Sequence, residues 1–176
     1  IKAQVFEKRI KTEKDDLLVA AAELSGGGYA FLMSRGNYNE SITEYQALYQ
    51  QYIMKLSAEG DILDSVVLSN AEPPYVLVMG IIAFEGYMVT WGRIYDAENQ
   101  PTGVFLMKTD EDLNILSDTI FSVTNNKLWL AGCIKNSSGN LILSGSAEDT
   151  LTNVNTSLVW EINPLNLSRL QEKYYD

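Results

Sequence analysis

Tyr52-Ile53-Met54-Lys55-Leu56, Phe105-Leu106-Met107-Lys108-Thr109 and Leu158-Val159-Trp160-Glu161-Ile162 share one alternating apolar pattern, and the steps from Met54 to Met107 and from Met107 to Trp160 are both 53 residues. Equal spacing twice over marks a repeat architecture, in which each unit buries its faces against its neighbours. Upstream of each segment a glycine turn runs into a strand: Gly28-Tyr29-Ala30-Phe31, Gly86-Tyr87-Met88-Val89 and Gly139-Asn140-Leu141-Ile142. Before each turn stands an apolar stretch with small residues, over 18–22, 76–82 and 128–134. Each unit therefore reads as strand A, glycine turn, strand B, a longer loop, strand C, a tight turn and strand D. The tight turns carry turn formers at Ser57-Ala58-Glu59-Gly60-Asp61, Asp110-Glu111-Asp112-Leu113-Asn114 and Asn163-Pro164-Leu165.

Strands A and B are apolar at nearly every position, whereas a sheet with one wet face would alternate, so both faces need cover. Radially packed blades supply it, and the small residues of strand A (Ala20, Ala21, Ala22, Gly80, Ala131, Gly132) suit the innermost strand. A β-helix coil uses fewer residues, and a sandwich has no reason to repeat at this spacing. The expected fold is all-β: three tandem four-stranded antiparallel propeller-type blades, with approximate units 15–70, 71–122 and 123–176. An extra outer strand is expected within 1–12, where Gln4-Val5-Phe6-Glu7-Lys8-Arg9-Ile10 alternates like a strand D.

Gly27-Gly28-Tyr29 before a strand, followed by Tyr52-Ile53-Met54-Lys55-Leu56-Ser57-Ala58-Glu59-Gly60-Asp61-Ile62-Leu63, resembles the DGGY…KLDxxGN blades of secreted bacterial β-propeller proteins. The likeness fades along the chain, with Phe84-Glu85-Gly86-Tyr87 and Ser137-Ser138-Gly139-Asn140 as weaker copies, and the Asp before the glycine pair and the Trp of strand D are missing. The resemblance implies a propeller fold and an extracytoplasmic setting (secreted, periplasmic or cell surface), and no particular activity.

Propellers have about four to eight blades, so three do not close a usual ring. The chain is expected to be part of a larger propeller, half of a two-fold ring, or an open stack that self-associates through exposed strand edges. The segment 168–175 also reads as a strand D, which leaves one outer strand too many. If 165–175 is helical or frayed, the N-terminal strand completes the third unit; otherwise it belongs to a blade outside the chain.

Composition excludes several functions. With 46% hydrophobic and 20% charged residues the sequence is that of a folded protein. The longest apolar run, 76–84, is about half of what a bilayer-spanning helix needs. The chain opens at Ile1 with neither a charged leader nor an apolar signal segment, as expected of a processed or excised segment. A net charge of -10 repels phosphate backbones, so no nucleic acid partner is expected. The absence of histidine removes Ser-His-Asp and Cys-His nucleophiles and HExxH metal sites. The single cysteine, Cys133, lies in an apolar run and reads as a buried thiol. No catalytic residue, metal site or cofactor is expected.

Function is expected on the B–C face, where loops over 36–51, 94–104 and 147–157 look longer than the opposite turns. In the first, Ser41-Ile42-Thr43-Glu44 fits a capping box and Tyr45, Leu48, Tyr49 and Tyr52 follow helical spacing. Its tyrosines form either the apolar side of a short helix or, with Tyr38, Asn37 and Asn39, an aromatic platform for a sugar ring or peptide. Arg35 and Arg93, at equivalent ends of two B strands, either orient an anionic group or pair with loop carboxylates such as Glu40 and Asp96. Asp96 and Asp149 are the carboxylates on which a carbohydrate-active enzyme would rest. The run Asp110 to Asn114 is superficially like a calcium loop but lacks its glycine and terminal glutamate, and a hairpin turn accounts for it. The leading reading is a non-catalytic module that binds a glycan, peptide or partner protein through these loops; the alternatives are a carbohydrate-active enzyme and a structural spacer.

Overall fold

Twelve strands form where the apolar runs lie, each reversed by a short polar turn. In the computed structural model, which describes residues 15–36, 50–68, 75–98, 100–122 and 126–175, they fall into three four-stranded antiparallel sheets, and no helix occurs among the described residues. The first sheet orders β1 (Asp15–Glu23), β2 (Tyr29–Gly36), β3 (Gln50–Leu56) and β4 (Ile62–Val67). The second orders β5 (Tyr75–Phe84), β6 (Tyr87–Tyr95), β7 (Pro101–Asp110) and β8 (Ile115–Ser122). The third orders β9 (Asn126–Lys135), β10 (Leu141–Asp149), β11 (Asn155–Asn163) and β12 (Ser168–Tyr175). These are three propeller-type blades with strands A to D in sequence order, and they do not close into a barrel.

Because β12 pairs along β11, the third blade has its own outer strand, and the reading in which 165–175 is helical or frayed is corrected. The expected strand over 4–10 lies outside the described residues. The inner strands β1, β5 and β9 adjoin one another in turn, as expected for the strand with the smallest side chains. Each carries a bulge, at Val19, Met79 and Ala131.

A face of each blade that looks toward the next one in sequence is called its forward face. Ala30, Leu32 and Ile53 on the forward face of the first blade pack with Met88, Ile94, Phe105 and Met107 of the second. Val89, Trp91, Val104 and Leu106 pack with Leu141, Leu143, Leu158, Trp160 and Ile162 of the third. Each large apolar side chain withdrawn from water in these layers contributes about 1.5–3 kcal/mol. Phe31, Met33, Tyr52, Met54 and Leu56, on the opposite face of the first blade, form a further cluster.

One turn geometry recurs. Ser57, Asp110 and Asn136 each donate their N–H to the carbonyl four residues on and accept the N–H three residues on. The same side chains accept the N–H groups two and four residues on, at 2.8–3.2 Å. The residue three along has positive φ: Gly60 (84°), Gly139 (84°) and, without glycine, Leu113 (65°). Leu113 holds that conformation because its side chain is buried between the first two blades.

Side chains also fasten blade to blade. Strand A is the edge of its sheet, so backbone groups beside its bulge face away from the ladder, and the preceding blade caps them. Gln51 Nε2 donates to the Val78 carbonyl (2.8 Å) while its Oε1 accepts the Val78 N–H (2.6 Å). At the next junction Arg93 donates through Nε and Nη2 to the Leu130 carbonyl. On the A–B and C–D side, the Glu111 carboxylate accepts Ser25 N–H (2.8 Å), Ser25 Oγ–H (2.6 Å) and Gly26 N–H (3.1 Å). Those donors, the Ser25 hydroxyl first, hold the Glu111 carboxyl below its ordinary pKa.

Candidate functional site

The B–C connections of the second and third blades are shorter than the sequence reading gave them. Strands run to Tyr95 and from Pro101, and to Asp149 and from Asn155, so the expected loops over 94–104 and 147–157 contract to 96–100 and 150–154. The residues read as loop continue the ladder: Ile94 pairs with Gly103 and Ala147 with Thr156. Tyr38, Asn39, Tyr45 and Tyr49, with the expected helix, lie outside the described residues. Tyr52, placed on that helix by its spacing, belongs to β3.

The remaining expected site residues serve the scaffold. Arg35 lies 4.8 Å from the centre of the Tyr52 ring and donates from Nη2 to its hydroxyl (3.2 Å). Arg93, beyond its bonds to Leu130, donates from Nη1 to the Tyr95 hydroxyl (3.2 Å) and rests 5.5 Å from the centre of the Trp129 ring. The expected pairing of Arg93 with Asp96 is corrected: Asp96 Oδ1 instead accepts the N–H groups of Glu98 (3.0 Å) and Gln100 (2.8 Å) in its own turn. Asp149 Oδ1 likewise accepts the N–H groups of Leu151 (2.8 Å) and Thr152 (3.2 Å), and these bonds, that from Leu151 first, lower its pKa. Each carboxylate spends one oxygen on local backbone, the ordinary role of Asp at a turn.

The calcium-like run is a hairpin turn, as its sequence suggests. Asp110 accepts the N–H groups of Asp112 and Asn114 and the Asn114 side-chain amide, which holds its pKa down. Among the described residues no three His, Cys, Asp or Glu side chains gather to hold a metal ion. No described helix is long and apolar enough to cross a membrane. The Cys133 thiol is half-buried and burial pushes its pKa up to about 12, so it stays protonated at neutral pH.

What sequence reasoning missed is a corner of the third blade. Trp129 (40% exposed) pairs with Ser146, two rows from the Glu148–Asn155 end of the strands, where the turn 150–154 projects Leu151 (77%) and Val154 (55%). The turn is fixed by Asn153 N–H to the Asp149 carbonyl (2.7 Å) and Asp149 N–H to the Val154 carbonyl (2.9 Å), in addition to the Asp149 carboxylate. Leu151 and Val154 stand where a turn calls for polar residues, and that was the available signal. No protein-family model matches the chain, and no curated protein matches it.

Proposed function

We propose that the chain is a non-catalytic binding or scaffolding module that recognises a partner protein through the B–C corner of its third blade. The supporting observation is the exposure of Trp129, Leu151 and Val154 around a turn held by four hydrogen bonds from or to Asp149. A rigid scaffold carrying exposed apolar side chains loses little conformational entropy on association. Two exposed aliphatic side chains at the tip of the turn favour a protein over a glycan, because they offer no hydrogen bonds to sugar hydroxyls. The extracytoplasmic setting rests on the resemblance to secreted propeller repeats. The test is a pairwise binding screen against extracellular proteins and a glycan array, run with the wild-type chain and with Leu151→Asp/Val154→Asp. The expected result is a protein partner whose Kd rises about tenfold or more in the variant. A protein or glycan ligand held equally well by both would contradict it.

A further inference from the structure

The forward faces of the first two blades are filled along their centre. Leu32 and Ile53 stand opposite each other there in the first blade, and Trp91 and Leu106 in the second. In the third blade the order of size is inverted. Its register sets Trp129, Ser146, Ser157 and Tyr175 in one row across the four strands, and Gly132, Ser144, Val159 and Lys173 in the next. Ser157 and Ser146 hold the positions that Gln51 and Arg93 hold in the first and second blades. Over these middle rows the two central strands carry small side chains, while large ones stand on β9 and β12. Trp129 is 40% exposed and Tyr175 52%, and Ser144 and Ser157 between them are exposed as well.

The face is therefore a groove that runs along the strands. The Arg93 guanidinium, 5.5 Å from the centre of the Trp129 ring, supports one wall. At one end Ile142 lies on the floor beside Ile134. At the B–C end the turn 150–154, with Leu151 and Val154, joins the two floor strands and forms the lip. The walls stand on strands three spacings apart, about 14 Å, and the face extends about 20 Å along the strands. An α-helix is about 10–12 Å across with its side chains, and about 14 residues cover that length. A flat sheet packed about 10 Å away would leave the serine rows without atoms to touch, which sets aside a further blade or a second copy as the occupant.

Charge narrows the choice further. Lys127 pairs with Glu148 (3.5 Å), and Glu161 accepts the side-chain amides of Asn136 (3.2 Å) and Asn140 (2.8 Å). Lys173, on the β12 wall, has no charge partner among the described residues. We propose that the forward face of the third blade is a docking groove for one amphipathic α-helix of the partner protein. The helix lays its apolar stripe on Ile142 and Val159, between Trp129 and Tyr175, and sets a carboxylate against Lys173. The serine floor lets its backbone approach the sheet and keeps the empty groove wettable. The inference rests on the reading of this blade as the partner-binding one and adds the form of the element it takes.

The probe is a display library of peptides of about 16 residues held helical by a lactam bridge, run against the 176-residue chain. A β-hairpin library of the same composition runs beside it. Helical binders are expected, with Asp or Glu on one flank and a Kd that rises about tenfold or more in Ser144→Phe. That substitution fills the floor at an exposed position and leaves the unfolding midpoint nearly unchanged. Lys173→Glu should weaken the same peptides about tenfold and be rescued when their carboxylate is exchanged for lysine. No helical binder, binders from the hairpin library alone, or helical binders indifferent to either substitution would overturn the groove. So would a mass in light scattering that doubles with concentration in the wild type and not in Ser144→Phe, for then a second copy fills it. Leu151→Asp/Val154→Asp separates the two readings: binding lost there and kept in Ser144→Phe leaves the corner standing and removes the groove.

Discussion

The forward faces of the second and third blades are built at matching positions of the same strands, yet different side chains stand on them. Trp91 is 8% exposed and lies against the third blade; Ser144, 53 residues later, is exposed. Arg93 reaches to the Leu130 carbonyl, and the matching position of the third blade holds the much shorter Ser146. Lys108 crosses to Leu165 and lies 4.2 Å from the centre of the Tyr87 ring, whereas Glu161 turns back to Asn136 and Asn140. The strands and the bulge of strand A correspond between the two, while the A–B turn lengthens from two residues, Glu85 and Gly86, to five, over 136–140. The backbone of a blade is thus specified by turn residues and alternation, while its polar contacts with the next blade come from a few forward-facing side chains.

The largest difference is expected at the centre of the two faces. Trp91→Ala should cost about 3–5 kcal/mol in chemical denaturation, the scale of removing a large buried aromatic. Ser144→Ala should stay within about 0.5 kcal/mol, as at an ordinary surface position. Next comes the bulge cap. Gln51 is buried and serves both the N–H and the carbonyl of Val78, so Gln51→Leu should lose about 1–3 kcal/mol for each group left unpaired. Ser157→Leu orphans nothing and should leave the denaturation midpoint nearly unchanged.

A smaller effect is expected from acid at the clasp between the first two blades. The folded pKa of Glu111 lies below its ordinary value, so the carboxylate's contribution is fully present above the ordinary carboxylate range and is lost as pH falls through the folded pKa. Glu111→Gln should flatten part of the fall in stability measured between about pH 5 and pH 3. Glu161 has no carboxylate clasp of that kind on a neighbouring blade, and Glu161→Gln should preserve the bonds from Asn136 and Asn140, since the amide oxygen still accepts.

The turns and strands were legible in the sequence because their signals are local. Gly60 and Gly139 three residues into a turn, and Ser57, Asp110 and Asn136 at its start, carry the geometry by themselves. Leu113 broke the glycine rule for a reason no local reading contains, its burial against the first blade. The partners of Arg93 and Gln51 were illegible for a different reason: they are backbone groups of a bulge in another unit, and backbone acceptors leave no mark in a sequence. Asp96 and Asp149 looked available for chemistry because composition counts carboxylates without showing that backbone N–H groups already hold them.

The most direct test of the closed and open faces uses a pair of glycines. Gly80 pairs with Trp91 and Gly132 with Ser144, at corresponding places beside the bulge. A methyl group on Gly80 would collide with the Trp91 indole, which the third blade keeps from moving away; on Gly132 it would meet only Ser144 Oγ, at 3.7 Å. Thermal unfolding of Gly80→Ala should lose about 1–3 kcal/mol, or roughly 2–4 °C in Tm for each kcal/mol in a chain of this size. Gly132→Ala should hold its Tm or gain slightly, since alanine restricts the unfolded chain. Equal losses in the two variants would contradict the account, for they would mean that the third blade's forward face is packed as tightly as the second's.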